Sequence, residues 1–300
     1  MTAVPDPAAG TVGRGIAFAL LAAFTFAAMD GVAKHLIGTY DVLQVMWIRY
    51  IFFMAFGTAL AVRQGGGLRQ AIRSRRPGLQ LLRSLILLFE VAGFLLSFKY
   101  LALADAHAIA STAPLFVTAL AWPLLGERVG PVRWGAVLVG CAGVLIIIRP
   151  GAGVFGWAAL IPLVTALTFA LYQITTRLLS RVDSPAASMF YMGVVGFVLL
   201  TAVAPFVWTP PSAADWALLL LIGTLGCAAH WFLILALQAA PAAIIQPFNY
   251  TLIPWAVLVG FVLFGDLPDG WTIAGAALVA ASGLFILARE RRLQAVSSGS

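Results

Sequence analysis

Apolar runs of about twenty residues, divided by short loops of Gly, Pro and charge, fill almost the whole chain. A helix needs that length to cross the hydrocarbon of a bilayer. Ten runs are read, at 14–36, 42–62, 78–100, 104–125, 132–149, 156–178, 185–207, 214–238, 242–264 and 271–289. Connections such as Arg149-Pro150-Gly151 and Thr209-Pro210-Pro211-Ser212 are short, so neighbouring runs must be antiparallel. No stretch is long or polar enough for a soluble domain. The predicted fold class is an all-α membrane protein with ten transmembrane helices.

The pattern also repeats. Gly135, Gly140 and Gly143 recur as Gly275, Ala280 and Gly283 at a spacing of 140, while Trp134 slips to Trp271. Thr25-Phe26-Ala27 returns as Thr168-Phe169-Ala170, which sets Asp30 opposite Gln173 and Lys34 opposite Arg177. Asp41 matches Asp183, placing Arg49 against Tyr191, and mid-span Pro114 matches Pro254. Each copy holds five spans, an odd number, so the halves face opposite ways across the membrane. The expected division is residues 1–150, then 151–292, then a disordered tail at 293–300. The turn Gly126-Glu127-Arg128-Val129-Gly130-Pro131-Val132-Arg133 carries two cations, whereas its counterpart Gly265-Asp266-Leu267-Pro268-Asp269-Gly270 carries none.

Composition excludes a water-soluble domain. The chain is 62% hydrophobic and 10% charged, against the roughly quarter of charged residues that an aqueous surface needs. A net charge of +7 would suggest nucleic acid in a soluble protein. Here the cations sit in loops between apolar runs, which is a topology signal. If the 63–76 loop is cytoplasmic, fourteen of the eighteen Lys and Arg lie inside: Arg14, Arg63, Arg69, Arg73, Arg75, Arg76, Arg83, Arg128, Arg133, Arg177, Arg181, Arg289, Arg291 and Arg292. Lys34, Lys99 and Arg149 fall outside, and Arg49 is within a span. Both termini are then cytoplasmic, in a multi-pass inner-membrane protein. Cys141 and Cys227 lie in apolar runs and read as small core residues rather than metal ligands.

Two stretches carry a family resemblance. The first runs from Pro114-Leu115-Phe116 to Leu125-Gly126-Glu127-Arg128, followed by Trp134-Gly135, Gly140 and Gly143. The second runs from Pro247-Phe248-Asn249-Tyr250-Thr251 to Leu263-Phe264-Gly265-Asp266, and Arg49 in the second span also fits. Over nearly its whole length the chain resembles the drug/metabolite transporter superfamily, in particular its EamA-type members. Asp266 stands where the family more often has Glu. The resemblance implies a substrate cavity near the bilayer centre, lined by spans 1, 3, 4, 6, 8 and 9 and opened alternately to each side. It also implies a scaffold role for spans 5 and 10, whose glycines and alanines permit close helix approach.

Several residues could carry transport. Ionisable groups inside spans face a cavity or a partner. Asp30 lies about 9 Å from the outer end of span 1, Arg49 about 11 Å into span 2, and Glu90 about 15 Å from the outer end of span 3. Those depths allow Arg49 to pair with Asp30 or Glu90. Such a group is either a structural ion pair or a substrate and proton site in which one carboxylate changes protonation. His230 either donates to a helix carbonyl or carries a proton. His35 and His107 are placed near the outer surface. Gln246, Asn249 and Tyr250 share a face of span 9, and Tyr172, Gln173 and Thr176 share one of span 6. Ser97 lies one heptad beyond Glu90, Tyr191 stands opposite Arg49 in the repeat, and Trp231 and Trp255 are mid-span aromatics able to stack on a ligand. Each serves either as cavity lining or as an interhelical contact. Pro114 and Pro254 are hinge candidates or static kinks. In the Gly-Glu and Gly-Asp turns, glycine ends one helix and the acid sits near the positive start of the next.

The functional expectation is a secondary transporter that moves a small metabolite by alternating access, with export of an amino acid or related amphipathic compound first. The alternative is uptake of a nucleoside-like or vitamin-like molecule. No metalloprotease, paired metal-ligand or serine-nucleophile motif appears, which sets an intramembrane enzyme aside. No cofactor and no metal are expected. The expected partners are the substrate and the bilayer, with a proton as the candidate coupling ion and a monomer or homodimer as the working unit.

Overall fold

The computed structural model of the chain describes residues 9–63, 69, 73–125, 131–149, 156–240, 245 and 248–298. Among these residues every regular element is helical and no strand occurs. The first half gives α1 (Ala9–Ile37), α2 (Val42–Arg63), α3 (Pro77–Ser97), α4 (Leu103–Ala110), α5 (Ala113–Leu125) and α6 (Pro131–Ile148). The second gives α7 (Leu160–Leu179), α8 (Pro185–Thr201), α9 (Ala213–Ala239), α10 (Leu252–Phe264) and α11 (Gly270–Ser298). Six helical stretches are long and apolar enough to cross a membrane, and four more apolar helices are shorter. Large side chains such as Phe89 and Leu138 stand 72% and 68% exposed on the outside. Water would drive such a surface to aggregate, whereas lipid solvates it. This is an integral, multi-pass membrane protein.

Helix ends follow their local chemistry. Ser184 and Ser212 cap α8 and α9 by accepting from Ala187 N and Asp215 N, each at 3.1 Å. Asp269 caps α11, accepting from Thr272 N at 2.7 Å. That backbone N–H, more than any other contact, holds the Asp269 carboxyl below the usual carboxylate range. Gly265 closes α10 in the left-handed region at φ 72°, where a side chain would be strained. Asp266 departs from expectation, because it pairs with Lys34 of α1 at 2.8 Å and leaves the capping to Asp269. The matching Gly126-Glu127 turn lies outside the described residues. The last helix also corrects an expectation, since it continues to Ser298 through the stretch read as a disordered tail. Ala288-Arg289-Glu290-Arg291-Arg292-Leu293-Gln294-Ala295 is built of strong helix formers, which sustain the helix beyond its apolar part.

The long helices pack in pairs drawn from opposite halves. α1 runs along α9 and α3 along α7, α2 crosses α8, and α6 crosses α11. In smaller contacts α5 meets α7, α10 meets α1, and α4 meets α10. Exchanging helices for their counterparts in the other half maps the four long pairs onto themselves and α5–α7 onto α10–α1. Both self-paired crossings rest on glycine. A Cβ added at Gly57 would lie 2.7 Å from Phe190 N, and one at Gly193 would lie 2.4 Å from Met54 N. Between α6 and α11, Gly143 faces Gly275 O at 2.8 Å and Gly275 faces Gly143 O at 2.5 Å by the same construction. Backbone meets backbone there, so nothing can give way.

The loops gather at two ends. At one, Gln44 exchanges two hydrogen bonds of 2.7 Å with the backbone of Thr209, and Tyr40 donates to Asp215 at 2.8 Å. The Lys34–Asp266 and Arg149–Asp269 pairs lie at that same end. At the other end Asp183 accepts from Ser74, from Arg75 N at 2.9 Å and from Gln80 at 2.9 Å. Each strap ties the loop before one half's third long helix to the start of the other half's second. Gly193→Ala should therefore destabilise the protein by about 1–3 kcal/mol, because the methyl meets unyielding backbone. Gly135→Ala, whose Cβ would meet nothing within 4 Å, should be neutral or slightly stabilising. Thermal unfolding in detergent reads both, and equal effects would contradict the close crossing.

Candidate functional site

Two helices break where the sequence places its paired prolines. α4 stops at Ala110, Ser111 and Thr112 form a turn, and α5 restarts at Ala113. In the second half residues 248 and 249 are helical, Tyr250 and Thr251 turn, and α10 begins at Leu252. Proline lacks an N–H, and its ring collides with the carbonyl four residues earlier. For Pro114 that residue is Ala110 and for Pro254 it is Tyr250, and both helices part there. Hydroxyls bond carbonyls of the turn beside each break. Ser111 donates to Ala108 O at 2.5 Å, Thr112 to Ile109 O at 2.9 Å, and Thr251 to Phe248 O at 2.6 Å.

Both breaks open onto one cavity. Its lining comes from α1, α3, α4, α5, α7, α9 and the residues flanking the α10 break, with Arg49 entering from α2. These are the spans that the family resemblance implies, plus one. Phe26, Phe94, Phe169 and Tyr250 give the walls an aromatic character, and Thr165, Ser111 and Asn249 add neutral polar groups.

Asp30, Arg49, Glu90 and His230 all line this cavity, as do Asn249, Tyr250 and Pro114. The expected contact pair differs from expectation. Asp30 has His107 as its close partner, with Oδ2 and Nε2 3.3 Å apart. Arg49 is 1% exposed, and its guanidinium stands 5.8 Å over the Phe53 ring. It reaches the two carboxylates through space, without an ion-pair contact among the described residues. His107, placed near the outer surface by sequence, is in fact 3% exposed and packs on Phe94 at 5.0 Å. It sits one turn into a helix that starts within the bundle, so a position near the end of a span is a buried one. His230 makes no hydrogen bond to a helix carbonyl among the described residues. Its ring is held edge-on by Phe26 at 5.0 Å, Phe53 at 5.3 Å and Tyr172 at 6.0 Å.

Other candidates fall elsewhere. Ser97 is buried and donates back to Phe94 O at 2.6 Å, away from the cavity. Tyr172 and Gln173 are buried behind the wall, while Tyr191 packs beside Phe190 and Trp231 beside Phe56. Pro254 is exposed, and Trp255 meets Phe24 rather than the cavity. Gln246 lies outside the described residues. Arg83, read from sequence as a cytoplasmic-side cation just inside the third span, is fully buried and binds Tyr172 OH at 3.2 Å, Thr176 at 3.4 Å and the Ser188 carbonyl. Its place in a helix otherwise lined with Leu and Ile was the available signal.

Comparisons with known proteins bear on this geometry. The profile of the EamA-like transporter family matches twice, at residues 13–149 and 156–288. A riboflavin transporter of Rhizobium johnstonii is 35% identical over 227 residues, covering 74% of each chain. A riboflavin transporter of Vibrio cholerae is 30% identical over 283 residues, covering 93% of this chain and 94% of its own. An S-adenosylmethionine uptake transporter of Rickettsia conorii is 26% identical over 278 residues, with the same coverage. A solved crystal structure shares the fold at a TM-score of 0.66 and 18% identity, covering 95% of this chain and 98% of that one. Both halves carrying the family pattern around one shared cavity, the chain belongs to the EamA-like transporter family and is a membrane transporter, not an enzyme.

Proposed function

We propose that the protein imports a flat heterocyclic metabolite of the vitamin or nucleoside class, riboflavin first, by alternating access. The observation that carries this reading is the cavity itself. Its aromatic walls suit the faces of a fused ring system, and Asn249, Ser111 and Thr165 can meet polar edges. The names of the relatives point the same way, toward riboflavin and an adenosine-containing compound. An amino acid would leave most of that aromatic wall without a partner. Uptake of this kind is therefore favoured over amino-acid export.

The architecture proposed for this work is ten crossings in two inverted five-helix halves, residues 1–150 and 151–292. The self-mapping helix pairs and the double family match support it. With Arg73, Arg75, Arg76, Arg177 and Arg181 gathered toward one end, that end faces the cytoplasm and both termini lie with it. The helix breaks beside Pro114 and Pro254 act as hinges, since an interrupted backbone bends more easily than a continuous one. The cavity residues Asp30, Arg49, Glu90, His230, Asn249 and Tyr250 bind or couple. Tyr172 and Gln173 support the wall from behind.

Two outcomes follow. Proteoliposomes should take up labelled riboflavin saturably, and Asn249→Ala should weaken its apparent affinity about tenfold, the loss of roughly one hydrogen bond. Efflux of an amino acid with no riboflavin uptake would overturn the substrate assignment. In a background free of Cys141 and Cys227, Arg128→Cys should react with an impermeant thiol reagent from the cytoplasmic side and Leu267→Cys from the opposite side. Labelling from one side alone would end the inverted topology.

A further inference from the structure

Arg49 of α2 is buried and lines the cavity, yet no hydrogen bond joins it to a described residue, and its Nε is left without a partner. Its charge is answered, because Asp30 and Glu90 act on it through space without an ion-pair contact among the described residues. Its N–H groups are not. A guanidinium carries five donors, and a buried donor left unused is costly. Glu90 of α3 faces the same space with acceptor oxygens and has Asp30 and Arg49 as charged neighbours. His230 of α9 is buried on the cavity wall, and neither ring nitrogen has a hydrogen-bond partner among the described residues. One Phe53 ring adjoins both, 5.8 Å from the Arg49 guanidinium and 5.3 Å from the imidazole.

The surroundings decide what kind of group can meet these donors and acceptors. A carboxylate or phosphate would suit Arg49 but would be repelled by Asp30 and Glu90 beside it. A cation would face two buried guanidiniums, Arg49 and, behind the wall on the Tyr172 hydroxyl at 3.2 Å, Arg83. Asp30 has His107 as its own neighbour at 3.3 Å. Asp105, on the same helix as His107, belongs to a different group, with Thr272, Asp269 and Arg149. What remains to be satisfied is hydrogen bonding, and it calls for a neutral group with donor and acceptor side by side.

We propose that Glu90, Arg49 and His230 read one edge of a neutral fused-ring lactam. Glu90 accepts from its ring N–H, Arg49 donates to the adjoining carbonyl, and His230 donates to the ring nitrogen beyond. The proposal rests on the import reading above and names the chemistry that the same cavity selects. Arg49 neighbours both of the other residues, Glu90 by charge and His230 across the Phe53 ring, so the carbonyl takes the central place. Phe26 packs edge-on to His230 at 5.0 Å and to Phe169 at 6.5 Å, so aromatic wall and polar edge meet at a corner. A planar ring seated there is held by its face and recognised by its edge. The rings of riboflavin and of inosine both present N–H, C=O and ring nitrogen in that order.

Equilibrium binding to the purified protein tests this with riboflavin against 3-methylriboflavin and inosine against 1-methylinosine. Each methyl group removes the edge N–H and leaves the ring otherwise intact. The wild type should bind the parent about ten- to a hundredfold more tightly, the effect of one hydrogen bond to a charged group. Glu90→Ala should bring that ratio to about one, with the loss falling on the parent ligand. Glu90→Gln, which keeps an acceptor oxygen should the shorter side chain not fold, should give a ratio between the two. 5-Deazariboflavin, with C–H in place of the edge nitrogen, should bind the wild type about tenfold more weakly than riboflavin, and His230→Phe should abolish that difference. Each ratio is taken within one variant, so a general loss of structure cancels. Equal wild-type affinities for parent and methylated ligand overturn the proposal and leave riboflavin import standing. So do a ratio that survives Glu90→Ala, one that falls only because the methylated ligand gains, and a deaza penalty that His230→Phe retains. Discrimination within the inosine pair without riboflavin binding supports the edge and overturns the riboflavin assignment alone. Binding of neither parent overturns both.

Discussion

Hydrocarbon offers no water to a freed carbonyl or an unpaired charge, and that constraint orders this protein. Each unsatisfied polar group there costs several kcal/mol, so regular helix is enforced wherever lipid is the neighbour. Every departure from regularity has to gather where protein or trapped water can receive it. Here the departures converge. Helix breaks at Ser111-Thr112 and at Tyr250-Thr251, an arginine, two acids and two histidines all border one cavity. Hydroxyls of Ser111, Thr112 and Thr251 bond carbonyls in the turns beside the breaks.

The cavity exists because the halves interlock without filling it. The glycine crossings of α2 with α8 and α6 with α11 bring backbones into contact at the periphery. The pairs α1 with α9 and α3 with α7 then stand around the centre, where Ala22, Ala23 and Ala166 line the cavity beside Phe26, Phe94 and Phe169. The two halves contribute unequally to it. The first supplies Asp30, Arg49, Glu90 and His107, and the second supplies Phe169, Asn249, Tyr250 and neutral polar groups. Symmetry builds the frame and asymmetry supplies the chemistry.

Much of this was legible in the sequence, because membrane spans, prolines and buried charges are strong local signals. Run lengths marked apolar helices, and Pro114 and Pro254, read as hinges or kinks, lie beside the two breaks. Asp30, Arg49 and Glu90 were singled out by residue type alone. What local signals could not supply was which face of each helix turns inward. Tyr172 and Gln173 share the helix that carries Phe169 to the cavity, yet they lie behind the wall, toward Arg83. His107 was misplaced for the same reason. Depth along a chain says nothing of burial where a helix begins inside the bundle. The last helix outran its apolar segment because Arg, Glu and Ala propagate helix in water as well as in lipid.

The central claim is that the cavity at the helix breaks is where substrate sits. The most direct measurement introduces a cysteine at Ala110, on the cavity wall beside the first break, in a protein lacking Cys141 and Cys227. A second variant places cysteine at Leu138, which faces outward at 68% exposure. Riboflavin should slow thiol labelling of Ala110→Cys in a saturable way and leave Leu138→Cys untouched. Equal rates at position 110 with and without riboflavin, in protein that still transports it, would contradict this account.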